Sequence, residues 1–274
     1  MDITGAYRRR GKTPLEEIKH THIDQYEIIH CMSDGGNVLI GTDLFPMTTG
    51  GLYLINTVNF HMTNPDDKDK YTRNVVKFTS SAMRSLLTDL GAVNMRDFLF
   101  SDQPGYYFPL DAISSGFADE QIKTICETDD ISGIGKATAL MRLIDFVYCL
   151  HSGKNPTDQT SARQEIPASV LRVIDSRYKE HLTLDDIAEA ISVSKYHMCR
   201  TFRRAAGITV TQYLVSYRLA EAKKMLAETN IQVADIAVNC GFDTSSHFCI
   251  VFRRNEGMTP NEFRRNTRID RTTE

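Results

Sequence analysis

Two groups of residues in this 274-residue chain have types and spacings that could do chemistry. The first is a repeated phrase, SKYHMCRTFRR at 194–204 and SSHFCIVFRR at 245–254. If the phrase is helical, Met198 and Phe202 share one face, and Tyr196, Cys199, Arg200 and Arg203 share another. The matching positions of the second copy are Ser246, Cys249, Ile250 and Arg253. The first face is of the kind that packs, whereas the second is free to enter a major groove of double-stranded DNA. Arg200 can bond a guanine edge with both arms of its guanidinium, and Lys195 and Tyr196 can reach base edges or backbone. Arg203 and Arg253 stand near phosphates, contacts that position a protein without reading sequence. Ile250 offers only apolar contact, for example to a thymine methyl, or helps to pack a turn. The first copy therefore carries more of the polar readout, and the second adds Ser245, Ser246 and nonspecific affinity. For either copy alone, a solvated amphipathic helix is the plain alternative.

The second group is His20, His22, Glu27 and His61, an HxH pair followed by a carboxylate and a distant imidazole. Such donors suit iron, manganese or zinc. Three readings stay open: a bound metal, a metal-free pocket lined by some of these residues together with Tyr26, or structural and surface histidines. The 6 cysteines are scattered without a CxxC pair and read as reduced thiols. GIGK at 133–136 lacks the flanking residues of a phosphate loop and reads as a turn before a packing helix.

These side chains need elements to hold them. The repeat extends upstream of both phrases, pairing Ile187 with Ile236 at an offset of 49 where Phe202 pairs with Phe252 at 50, so the second copy has one extra residue in its turn. Each copy has a short apolar-periodic segment (184–191 and 233–240), a turn and a second helix, which is the order of a helix-turn-helix. Thr183, Ser194 and Thr244 are placed as N-caps. The segment 210–229 predicts a connecting helix of about 30 Å, close to the ~34 Å of one DNA turn. In the first half, short apolar runs from Tyr26 onward are punctuated by SDGGN, GTD and TTGG, and TRNVVKF follows at 72–78. This predicts antiparallel strands and hairpins of a β-barrel or jelly roll. Leu140, Leu143, Ile144, Val147 and Leu150 recur at helical spacing and could pair with another chain or cover the barrel.

The net charge of -3 divides unevenly, about -6 over residues 1–159 and about +3 over 160–274. The polar tract 151–164 separates the halves as a linker. No early stretch has the order of a signal peptide, and ALMRLIDFVYCL is broken by Arg142 and Asp145, so a cytoplasmic, non-membrane protein is expected.

Residues 165–266 resemble the DNA-binding domain of the AraC/XylS family of bacterial transcription regulators, through LDDIAEAISVSKYHMCRTFRRAAGIT, YRLAEAKKML and DIAVNCGFDTSSHFCIVFRRNEGMTPNEFRR. HTHIDQYEI, TTGGLYLIN, His61 and YTRNVVKF resemble the family's cupin-like N-terminal domain. The resemblance implies an all-β cupin-like sensing and dimerisation domain with following helices (1–150), a linker (151–164) and an all-α domain of two helix-turn-helix units joined by a long helix (165–270). It further implies an activator that contacts RNA polymerase, responds to an unknown small-molecule effector in the barrel and can form a homodimer. Family members commonly carry Arg or Lys where this chain has Ile250. No cofactor and no catalytic residue is expected. Two other readings are kept: a metal-dependent cupin enzyme with a regulatory tail, and a ligand-independent regulator whose barrel only dimerises.

Overall fold

The computed structural model describes residues 2–10, 25–56, 60–101, 103–128, 133–153 and 165–272. The first half is built on two antiparallel sheets. Strands β1 (Ile3–Arg10), β2 (Gln25–Cys31), β5 (Gly51–Asn56), β7 (Thr72–Thr79) and β8 (Gly105–Pro109) form a 5-stranded sheet in the order β1-β7-β2-β5-β8. Strands β3 (Gly36–Ile40), β4 (Asp43–Pro46) and β6 (His61–Pro65) form a 3-stranded sheet in the order β4-β3-β6.

Side chains alternate across a strand, so each strand of the larger sheet serves two cores. Ile29, Cys31, Tyr53 and Ile55 point inward and meet Val38, Ile40 and Phe45 from the smaller sheet. Tyr26, Ile28, Leu52, Leu54, Val76 and Phe78 point outward under four helices. These are α1 (Ser80–Asp89), α2 (Val93–Leu99), α3 (Ala112–Glu127) and α4 (Ile134–Ser152).

Two details differ from the expectations, and one alternative left open is decided. Of the three glycine-rich tracts, GTD closes the β3–β4 hairpin, whereas SDGGN and TTGG carry the chain from one sheet to the other, because β2 pairs with β5 and β7. Gly36 lies in the first of these crossings with φ 104, and a Cβ there would stand 2.2 Å from the Asn64 carbonyl. On α4, Leu140, Leu143, Ile144 and Val147 are buried in this chain's own core, so that face covers the sheet and is not presented to a second chain. Helix α4 also continues through His151 and Ser152, two residues into the tract read as a linker; residues 154–164 lie outside the described residues. Among the described residues no helix is long and apolar enough to cross a membrane.

The second half is helical: α5 (Glu165–Arg177), α6 (Leu184–Ala190), α7 (Lys195–Ala206), α8 (Val210–Glu228), α9 (Val233–Asn239), α10 (Ser245–Glu256) and α11 (Pro260–Thr272). Helices α5 to α7 enclose one core with Val210, Tyr213 and Leu214 from the first half of α8. Helices α9 to α11 enclose another with Leu219, Ala222 and Leu226 from its second half. The first of these cores also takes in Leu39, Leu44, Phe60 and Met62, from β3, β4, β6 and the residue before β6, so the smaller sheet packs directly on the first helix group.

Candidate nucleic-acid interface

Helices α7 and α10 are fixed by the same local devices. Thr183 caps α6 with a capping box: its hydroxyl accepts from the Asp186 backbone N–H at 3.2 Å while its own N–H donates to the Asp186 carboxylate at 2.7 Å. Ser194 caps α7 by accepting from the His197 N–H at 3.3 Å, and Thr244 caps α10 by accepting from the His247 N–H at 3.1 Å. The turns are residues 191–194 and 240–244, which locates the one-residue insertion. Ser192 (φ 56) and Gly241 (φ 77), the paired residues of the two turns, are both left-handed. Helices α7 and α10 end alike at Gly207 and Gly257, also left-handed.

The faces divide as the spacing predicted. Met198, Phe202, Phe248 and Phe252 are fully buried. Arg200, Arg203, Ser246 and Arg253 are exposed, as are Tyr196 at 77% and Ile250 at 67%; Cys199, Ser245 and Cys249 are half-buried. An open groove of about 630 Å³ runs along the first helix, lined by Tyr196, Cys199, Arg200, Arg203, Arg204 and Thr209. Lys195 stands at the head of that face, but its ammonium bonds Asp185 at 2.9 Å. Exposed pairs of this kind are worth under about 1 kcal/mol, so a phosphate can displace the carboxylate. Two exposed faces of matched position, one with Arg200 and one with Ile250, thus flank a single helix of 19 residues.

In the sheet-rich half, Glu27 and His61 are brought together at 3.3 Å, with Lys77 at 3.6 Å from the same carboxylate. Burial pushes the Glu27 carboxyl up, but the hydrogen bond from His61 and the charges of His61, Lys77 and Arg73 outweigh it and hold the group below its ordinary value. Any cation at this carboxylate would have the Lys77 ammonium as a neighbour. Tyr26 is a correction: it lies on the opposite face of β2, stacked on Phe78 with its hydroxyl bonding the Leu99 carbonyl at 2.5 Å, so it does not line the interior with Glu27. His20 and His22 lie outside the described residues. The inner face instead carries Lys77, Tyr71 and Arg73, the last packed over the Tyr71 ring at 4.8 Å.

A junction between the halves escaped sequence reasoning. Asn64 donates to the Arg204 and Ala205 carbonyls, both at 3.1 Å, and Asn37 donates to Ala205 at 3.3 Å. These are last-turn carbonyls of α7, which have no partner within the helix. Tyr213 adds a buried bond to the Gly41 carbonyl at 2.7 Å. Nothing local marks these residues, since the asparagine partners are 140 to 168 positions apart.

A capped, duplicated helix pair with cationic outer faces defines a DNA-binding protein of helix-turn-helix type, and comparison with known proteins agrees. The family described as "Helix-turn-helix domain" matches residues 187–266. The chain is 34% identical over 105 residues to the HTH-type transcriptional activator AarP of Providencia stuartii, covering 38% of this chain and 78% of that protein. It is 25% identical over 252 residues to the transcriptional activator RhaR of Escherichia coli, covering 90% of this chain and 86% of that protein. It is also 34% identical over 117 residues to the bifunctional transcriptional activator/DNA repair enzyme AdaA of Bacillus subtilis, covering 43% of this chain and 56% of that protein, about half of its length. The chain belongs to the AraC family of DNA-binding transcription regulators.

Proposed function

We propose that this protein is a transcription activator that reads an asymmetric duplex site with two helix-turn-helix units, α6–α7 and α9–α10, and is controlled by a small molecule bound in a cupin-like barrel. The division into a sensing domain (1–150), a connecting tract and a DNA-binding domain (165–270) belongs to this reading, as do RNA polymerase as partner and the cytoplasm as its place. The observation that carries it is the matched exposure of Tyr196, Arg200 and Arg203 on α7 and of Ser246, Ile250 and Arg253 on α10, at the two ends of α8. A 19-residue helix spans about 28 Å, near the ~34 Å between successive major grooves on one side of a duplex. The excess of basic residues in this half supports the same reading.

An effector in the barrel is supported by the buried Glu27 and Arg73 with the half-buried Lys77 beside them, and the asparagine contacts to α7 supply a route by which a change in the barrel would reach the first reader. Such a ligand must bind two arrangements with different affinity to shift their balance. Selection of sites by full-length protein from random duplexes at physiological salt, where phosphate binding alone is suppressed, tests the proposal. Two boxes about one helical turn apart are expected; binding that enriches no sequence, with or without added metabolite pools, overturns it.

A further inference from the structure

The two helix groups have separate cores that share α8, and the handover falls within the stretch from Leu214 to Leu219. Tyr213, Leu214 and Tyr217 serve the first core, Val215, Leu219 and Ala222 the second, and Arg218 lies in the stretch where the two meet. Its guanidinium reaches back to the end of α5, donating from Nε to the Tyr178 carbonyl at 2.8 Å and from Nη2 to the Glu180 carbonyl at 2.7 Å. The same group lies 5.9 Å from the centre of the Phe242 ring, a member of the second core. Phe242 follows Gly241 in the turn that sets α10. A Cβ on Gly241 would meet the Tyr178 carbonyl at 2.3 Å and the Arg218 guanidinium at 2.9 Å, so the turn is seated against both. Tyr178 is itself held in the first group, edge-on to Tyr217 at 5.3 Å.

We infer that Arg218 sets the angle and separation between the two reading helices, and so selects the spacing of the boxes they bind. This rests on the reading of α7 and α10 as DNA readers. A straight helix alone leaves the second group free to rock about its axis. Arg218 removes that freedom because its planar fork bonds two carbonyls while its face covers a ring, which a lysine ammonium cannot do at once. Arg218 touches no part of the exposed reader faces and acts as a positioning residue. Affinity for a two-box site depends on how well both units reach at once, so loosening the joint lowers binding at the best spacing and raises it at wrong ones.

The test uses full-length protein and duplexes carrying the selected boxes with base pairs added or removed between them. Wild type should show a sharp optimum, while Arg218→Ala and the milder Arg218→Lys should flatten the ratio between best and neighbouring spacings by about tenfold, with single-box affinity unchanged. In parallel, spin labels on Cys199 and Cys249, with Cys126 and Cys149 changed to serine, report the distance between the readers. A narrow distribution should broaden in both variants. Wild-type spacing preference in a folded Arg218→Lys protein, or an unaltered distance distribution, overturns the inference. If wild type enriches no site, the DNA reading fails, and the label distances still decide whether Arg218 fixes the joint.

Discussion

At the scale of single residues, α7 and α10 carry an arginine and an isoleucine at one matched position. Arg200 and Ile250 are both exposed on their helices, so neither is committed to a core. Arg200→Ala should cost roughly 1–3 kcal/mol at the selected site and relax sequence choice in one box, read by repeating the selection with the variant. A loss that is uniform over all sequences would make Arg200 a phosphate contact. Ile250→Arg adds a cation to the second face and should steepen the salt dependence of binding by about one counterion; an unchanged slope would mean that position 250 stays clear of the duplex. In the sheet-rich half, Glu27 is held below its ordinary value of 4.5. A carboxyl lowered in the folded state stabilises the fold above its unfolded value and ceases to do so as pH falls through the folded one. Glu27→Gln should therefore melt at a lower temperature than wild type at neutral pH, and the gap should close as pH drops below 4.5. A gap independent of pH would assign the loss to packing.

Elements that depend on neighbours in sequence were legible. Thr183, Ser194 and Thr244 cap where they were expected, because a cap needs only a hydroxyl and an N–H three positions on. The buried faces of α7 and α10 followed from the helical period. Strand faces were only half readable: alternation states that Tyr26 and Glu27 oppose each other but not which of them looks inward. That choice is made by the smaller sheet, whose His61 meets Glu27. The glycine-rich tracts announced chain reversals without saying whether the next strand stays in its sheet, and two of three leave it. The α4 face showed the same ambiguity: its apolar stripe required a cover, and the larger sheet supplies it. Tyr213→Phe probes an element contact of the kind no local pattern reveals. Loss of its buried bond to Gly41 should cost roughly 1–3 kcal/mol, read by denaturant titration, and no change would mean that water replaces the hydroxyl.

At the scale of the whole molecule, the smaller sheet packs on the larger sheet with one side and on the first helix group with the other. Asn37→Ala combined with Asn64→Ala should speed amide exchange in the last turn of α7 while leaving helix content unchanged. Unaltered exchange there would mean the sheet does not hold the helix end. Helix α8 plays the corresponding part between the helix groups, closing one core with Tyr213 and another with Leu226. Such a shared wall binds the fates of both groups during unfolding. Fraying from its last turn inward strips Leu226 and then Leu219 from the second group before it reaches Tyr213, whereas melting from its first turn strips the first group before the second. Each group thus forms a barrier to loss of the other, and heat should take residues 165–272 apart as one cooperative unit, although the sequence wrote them as two copies.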